Sequence, residues 1–143
     1  MKRDFTLERT YPHPPERVWR ALTDRRALST WLMETDFEPV LGRKFSFRDK
    51  PRPGWDGITH GEVIELEPPR RLAYTWRGRP APDKPFNIDT VVRWTLEPVG
   101  TGTRLVLEHT GFQGFRGVLV SFLLSTGWKK LLRTKLADTV AAS

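Results

Sequence analysis

Residues 58–77 read ITHGEVIELEPPRRLAYTWR, and their period decides the fold. The first ten are rich in strand formers, and Pro68 and Pro69 stop them. Beyond the stop, Leu72, Tyr74 and Trp76 alternate with Ala73, Thr75 and Arg77. A period of two over both runs predicts a pair of antiparallel strands with one apolar face. In the first run the same alternation groups Ile58, His60, Glu62, Ile64 and Leu66, against Glu65 and Glu67. Alternation alone therefore turns His60 and Glu62 inward, whereas a bulge near Gly61 would turn them outward.

The pattern extends in both directions. Downstream come a Pro-rich loop (Pro80, Pro82, Pro85) and a strand carrying Val92, Trp94 and Leu96. A hairpin connection follows over Pro98–Thr103, then a last strand, Arg104–Thr110, with Leu105 and Leu107 on one face. Upstream, Phe45 and Phe47 mark a short strand, and Pro51, Pro53, Gly54 and Gly57 form a loop. Phe5–Tyr11 is a first strand. Pro15 suits a helical first turn, since its missing N–H costs nothing there, and Glu16 favours the positive end. Val18, Trp19 and Leu22 make one helical face, and Asp24 is an N-cap for a second short helix with Leu28, Trp31 and Leu32. After Gly117 the period becomes helical through Leu124, Trp128, Leu131, Leu132, Leu136 and Val140, predicting one long amphipathic helix over about 118–141. Gly127 is costly inside a helix and is the expected place for a kink or a close contact.

The order is strand, two short helices, five or six antiparallel strands, long helix. This is an α+β domain spanning residues 1–143. A sheet with one apolar face must cover it, and only the last helix is large enough. A curved sheet around a helix leaves space between them, which is the natural ligand site.

Composition limits the chemistry. The 143 residues contain no cysteine, which excludes disulfides, thiolate metal sites and cysteine nucleophiles. That agrees with a reducing, cytoplasmic setting. The first ten residues lack the apolar core of a signal peptide, and the densest apolar run, Val118–Leu124, is far short of the ~20 residues that a membrane span needs. The net charge of +7 is concentrated in residues 101–143, which carry six basic and two acidic residues. Clusters at 43–52 and 129–135 read as solvated faces, so no specific nucleic-acid partner is expected. His13, His60 and His109 form no pair at metal-ligand spacing, and no nucleophile elbow or phosphate loop occurs, so neither a catalytic set, a metal nor a cofactor is expected. Six tryptophans and eight phenylalanines supply an aromatic interior that also lines any cavity.

Three blocks resemble the SRPBCC (START-like, helix-grip) superfamily, and within it the branch named after the activator of the heat-shock chaperone ATPase. They are Pro14–Asp24 with Trp31, then Gly61–Trp76, and finally Trp94–Pro98, Gly102–Leu105, His109–Phe112 and Gly127-Trp128. The resemblance implies a curved antiparallel sheet wrapped around a long C-terminal helix, with a cavity between them. Relatives include small-molecule binders, polyketide-cyclase-like enzymes, lipid carriers and chaperone cofactors.

The expected ligand is a small apolar molecule. The expected cavity residues are Phe47, His60, Glu62, Ile64, Tyr74, Trp76, Trp94, Leu107, His109, Phe122, Trp128 and Leu132. The sequence leaves open a protein-interaction role, through a chaperone or a homodimer, and a cyclase or lyase role. This chain departs from the branch at Val118–Leu124, which is apolar where relatives are polar and acidic. Such a segment must cover the cavity, meet a second subunit or touch a membrane, and residues 115–124 are expected to lid the cavity or pair two copies.

Overall fold

A computed structural model describes residues 1–78 and 88–143. The Pro80–Pro85 loop expected from sequence lies outside the described residues. The elements are β1 (Phe5–Tyr11), α1 (Pro15–Thr23), α2 (Arg25–Trp31), β2 (Glu34–Thr35), β3 (Lys44–Arg48), β4 (Ile58–Glu67), β5 (Arg71–Gly78), β6 (Asp89–Val99), β7 (Gly102–Thr110), α3 (Gly114–Arg133) and α4 (Lys135–Ala142). The strands form one antiparallel sheet in the order β1-β7-β6-β5-β4-β3-β2, so every neighbouring pair but β1·β7 is consecutive in sequence. This is the helix-grip architecture expected. No described helix is long and apolar enough to cross a membrane.

Local chemistry sets the boundaries. Pro15 opens α1, and the Asp24 carboxylate caps α2 by accepting from Ala27 N–H at 3.0 Å. The β6–β7 connection narrows to Gly100 and Thr101, with Gly100 at φ +58°, a conformation that glycine takes without strain. The C-terminal helix begins earlier than its periodicity predicts, at Gly114. It breaks at Thr134 (φ −112°, ψ −85°) rather than at Gly127, and the Thr134 hydroxyl donates to the Lys130 carbonyl at 2.7 Å. Gly127 continues the helix undisturbed, and a Cβ there would meet nothing within 4 Å.

β5, β6 and β7 present the faces read from sequence. Leu72, Tyr74, Trp76, Val92, Trp94, Leu96, Leu105 and Leu107 are all buried. β4 corrects the sequence reading. Thr59, Gly61 and Val63 point inward, while His60 and Ile64 are exposed and Glu62 is half-buried on the outer side. A register shift between Val63 and Glu65 then reverses the parity, so that Leu66 packs against the core. Inward placement of Gly61 is enforced by close packing. A Cβ there would lie 2.5 Å from the Phe45 ring and 2.8 Å from the Thr75 carbonyl oxygen.

The two glycines make opposite predictions. Gly61→Ala must push back both a buried ring and a backbone oxygen, and should lower stability by about 1–3 kcal/mol in urea denaturation. Gly127→Ala fills open space in a helix and should raise it by about 0.5–1 kcal/mol.

Candidate functional site

The expected cavity residues divide into three groups. The first forms a dry aromatic layer under the second half of α3. Trp128 is 3% exposed, and its ring lies 5.3 Å from Trp76, 5.6 Å from Trp94 and 6.3 Å from both Trp31 and His109. Phe47 packs against Trp76 and Tyr74, while Leu107 and Leu132 complete the buried layer. Edge-to-face and tilted contacts of this kind are favourable for ring quadrupoles and leave little room for a guest.

The polar atoms of this layer are paired with one another. Trp94 Nε1 donates to Tyr74 Oη at 3.0 Å, and burial pushes the Tyr74 hydroxyl above its ordinary range, keeping it neutral. Trp31 Nε1 donates to the Ala21 carbonyl at 2.8 Å. Trp128 Nε1 faces His109 Nδ1 at 3.1 Å, and His109 Nε2 faces Thr90 Oγ1 at 2.8 Å. An indole can only donate, so Nδ1 holds the lone pair and the proton sits on Nε2. Thr90 Oγ1 accepts this hydrogen bond and donates its own to the Trp76 carbonyl at 2.7 Å. The chain Trp128–His109–Thr90–Trp76 thus ties α3 to β7, β6 and β5. It needs a neutral imidazole, and burial lowers the His109 pKa from 6.5 to about 3.

The second group lies outside the layer. His60 and Glu62 border a shallow depression of about 220 Å³ on the outer face of the sheet, beside Lys44 and Arg77. Ile64 is 43% exposed and Phe122 is 53% exposed. These four residues are turned away from the interior. The β4 register accounts for the first three. Phe122 stands on the solvent side of α3, with the Arg3 guanidinium 3.8 Å above its ring.

Of the expected residues, only Trp76 borders an apolar cavity of about 400 Å³ under residues 120–127 of α3. Its floor is Trp76 and Thr59, and its roof is Val120, Leu123, Leu124 and Gly127. Met33 and Ile88 close two sides, and Arg52 and Trp55 form the rim. Trp55 is held there because its N–H and C=O pair with Arg52, while its indole donates to the Ile58 carbonyl at 3.1 Å. Sequence reading missed most of these residues. Gly127 was the available signal, since a glycine inside a helix leaves a volume uncovered. A wider groove of about 540 Å³ between α1, α2 and α4 is more open and has Arg20, Asp24, Arg26 and Asp138 on its walls, so it suits an apolar guest less well. Among the described residues no cluster of three or more His, Asp or Glu could hold a metal.

A sheet gripping a terminal helix, with a cavity at one end, can now be set beside known proteins. The model of activator of Hsp90 ATPase homolog 1-like proteins matches residues 12–141. The chain belongs to this family. A family-sized structure, protein MLL2253 from Mesorhizobium loti, superposes with a TM-score of 0.88 at 34% identity, over 99% of this chain and 98% of that one. CalU16 from Micromonospora echinospora superposes with a TM-score of 0.74 at 27% identity, covering 97% of this chain and 76% of that chain. The Aha1 dimer from Colwellia psychrerythraea shares the fold, with a TM-score of 0.76 at 19% identity over 96% of each chain. A search of curated proteins found no significant match.

The neutral His109 has a measurable consequence. Its folded pKa of about 3 lies below the unfolded value of 6.5, so between these pH values the unfolded chain binds a proton that the folded chain does not. The resulting stabilisation is complete above about pH 6.5 and is lost as pH falls toward 3, at up to about 1.4 kcal/mol per pH unit. Nitrogen-15 NMR at pH 5 should find His109 neutral and protonated on Nε2. His109→Gln should flatten the pH dependence of stability across this window.

Proposed function

We propose that this protein binds a small apolar molecule in the cavity beneath residues 120–127 of α3. The observation that carries the reading is the space of about 400 Å³ that carbon-rich side chains line between α3 and the end of the sheet, with Gly127 at its edge. Cavities of this size and character hold small ligands, whereas close-packed interiors do not leave them. Among the described residues, Arg52 is the charged side chain on the cavity's walls, and it stands at the rim, within 3.7 Å of Asp49, so it meets the polar end of a guest rather than its body. The aromatic layer serves as a rigid floor, because its polar atoms already have partners.

The test uses N-phenyl-1-naphthylamine, an apolar fluorophore small enough for the space. It should bind saturably and brighten. Gly127→Leu, which extends a side chain toward the cavity without clashing at Cβ, should weaken binding at least about tenfold while the protein melts no lower than the parent. Absence of saturable binding, or equal binding by folded Gly127→Leu, would contradict the reading.

A further inference from the structure

α3 is apolar on two sides. Gly117, Val120, Ser121, Trp128 and Leu132 face the protein, yet Phe115, Leu119, Phe122 and Leu123 are 66%, 50%, 53% and 62% exposed. At 100° per residue these four fall within an arc of about 100°. Lys130 and Arg133 continue the same arc into the second half of the helix, and Arg116 and Lys129 border it. All four of these basic residues are exposed, and α3 contains no acidic residue in its twenty. Arg3 adds a fixed cation. Its guanidinium donates to Ser121 Oγ at 2.9 Å and lies 3.8 Å from the Phe122 ring centroid. Of residues 115–124, Val120, Leu123 and Leu124 border the cavity, while Phe115, Leu119 and Phe122 do not.

We propose that this exposed face of α3 docks on an anionic phospholipid surface. The aromatic and leucine side chains enter the acyl boundary, and the cations contact lipid phosphates and carboxylates. Charge decides against a second copy of the chain, which would bring the same cations together with no acid on α3 to pair with them. Area points the same way. Four half-exposed side chains supply a few hundred Å², well below the ~800 Å² that one partner of a standard interface buries. A helix lying in the interface needs only such a stripe plus a basic collar. The proposal stands whether or not the cavity holds a ligand. Leu123, which belongs to both the stripe and the cavity wall, places the two side by side.

Vesicle co-sedimentation tests it with the full chain. Phosphatidylcholine vesicles containing about 30% phosphatidylserine should bind the protein at least tenfold more tightly than pure phosphatidylcholine, and added salt should weaken the binding. Leu119→Ser with Phe122→Ser should lower binding by about tenfold. Both residues are half-exposed, so the variant should keep its circular dichroism spectrum and a cooperative melting transition. Lys129→Glu with Lys130→Glu should lower binding similarly, while Gly127→Leu should not. The proposal is overturned if the protein ignores anionic vesicles at low salt, or binds neutral ones equally. It also fails if the folded serine variant binds undiminished, or if that variant changes the sedimentation mass of the free protein, which would mark the face as a contact between copies.

Discussion

The hydrogen bond from the Trp128 indole to His109 Nδ1 joins α3, the longest of the described helices, to the sheet, and much of the interior is arranged around it. Burying an imidazole in an aromatic layer is costly unless both nitrogens are satisfied. Trp128 satisfies one and Thr90 the other, with Thr90 in turn anchored on the Trp76 carbonyl. The result fixes the rotation of α3 about its axis. Trp128 faces the sheet, so Gly127, one residue earlier, is turned to the side, and Phe115 and Leu119 face away. Further ties hold the helix along its length: Tyr11 Oη donates to the Leu132 carbonyl at 2.6 Å, and the Ser121 hydroxyl donates to the Arg3 carbonyl at 2.8 Å.

From this anchoring two stretches of α3 acquire different work. Trp128 and Leu132 sit on rings that fill the space beneath them. Val120, Leu124 and Gly127 lie over a sheet end whose side chains leave a gap, Thr59 among them. The same rotation that opens the cavity inward presents an apolar and basic face outward. Family membership supplies the frame but not the guest, since functions differ widely on one fold.

Most of the architecture was legible because period and burial agree in the central strands. Tyr74, Trp76, Trp94 and Leu107 lie where simple alternation places them, each large enough to dominate its face. β4 was not legible for the opposite reason. Ile58, Ile64 and Leu66 outweigh Thr59, Gly61 and Val63 in a pattern, yet Phe45 demands a glycine beneath its ring, and the bulge after Val63 switches parity within the strand. Aromatic content identified an interior without separating filled from unfilled space. His109 and Trp128 belong to the filled part, and the cavity lies one helical turn away. Phe122 illustrates the same limit. A stripe at helical spacing is equally consistent with a lid and with an exposed face, and only the rotation imposed by Trp128 distinguishes them.

The central claim is that unfilled apolar volume lies under residues 120–127 of α3 and not in the aromatic layer. Diffraction from a crystal pressurised with xenon tests this directly, because xenon enters dry apolar cavities and leaves packed cores empty. The account predicts xenon density bounded by Trp76, Val120, Leu124 and Gly127. Density among Trp94, Leu107 and Trp128, or none beneath α3, would contradict it.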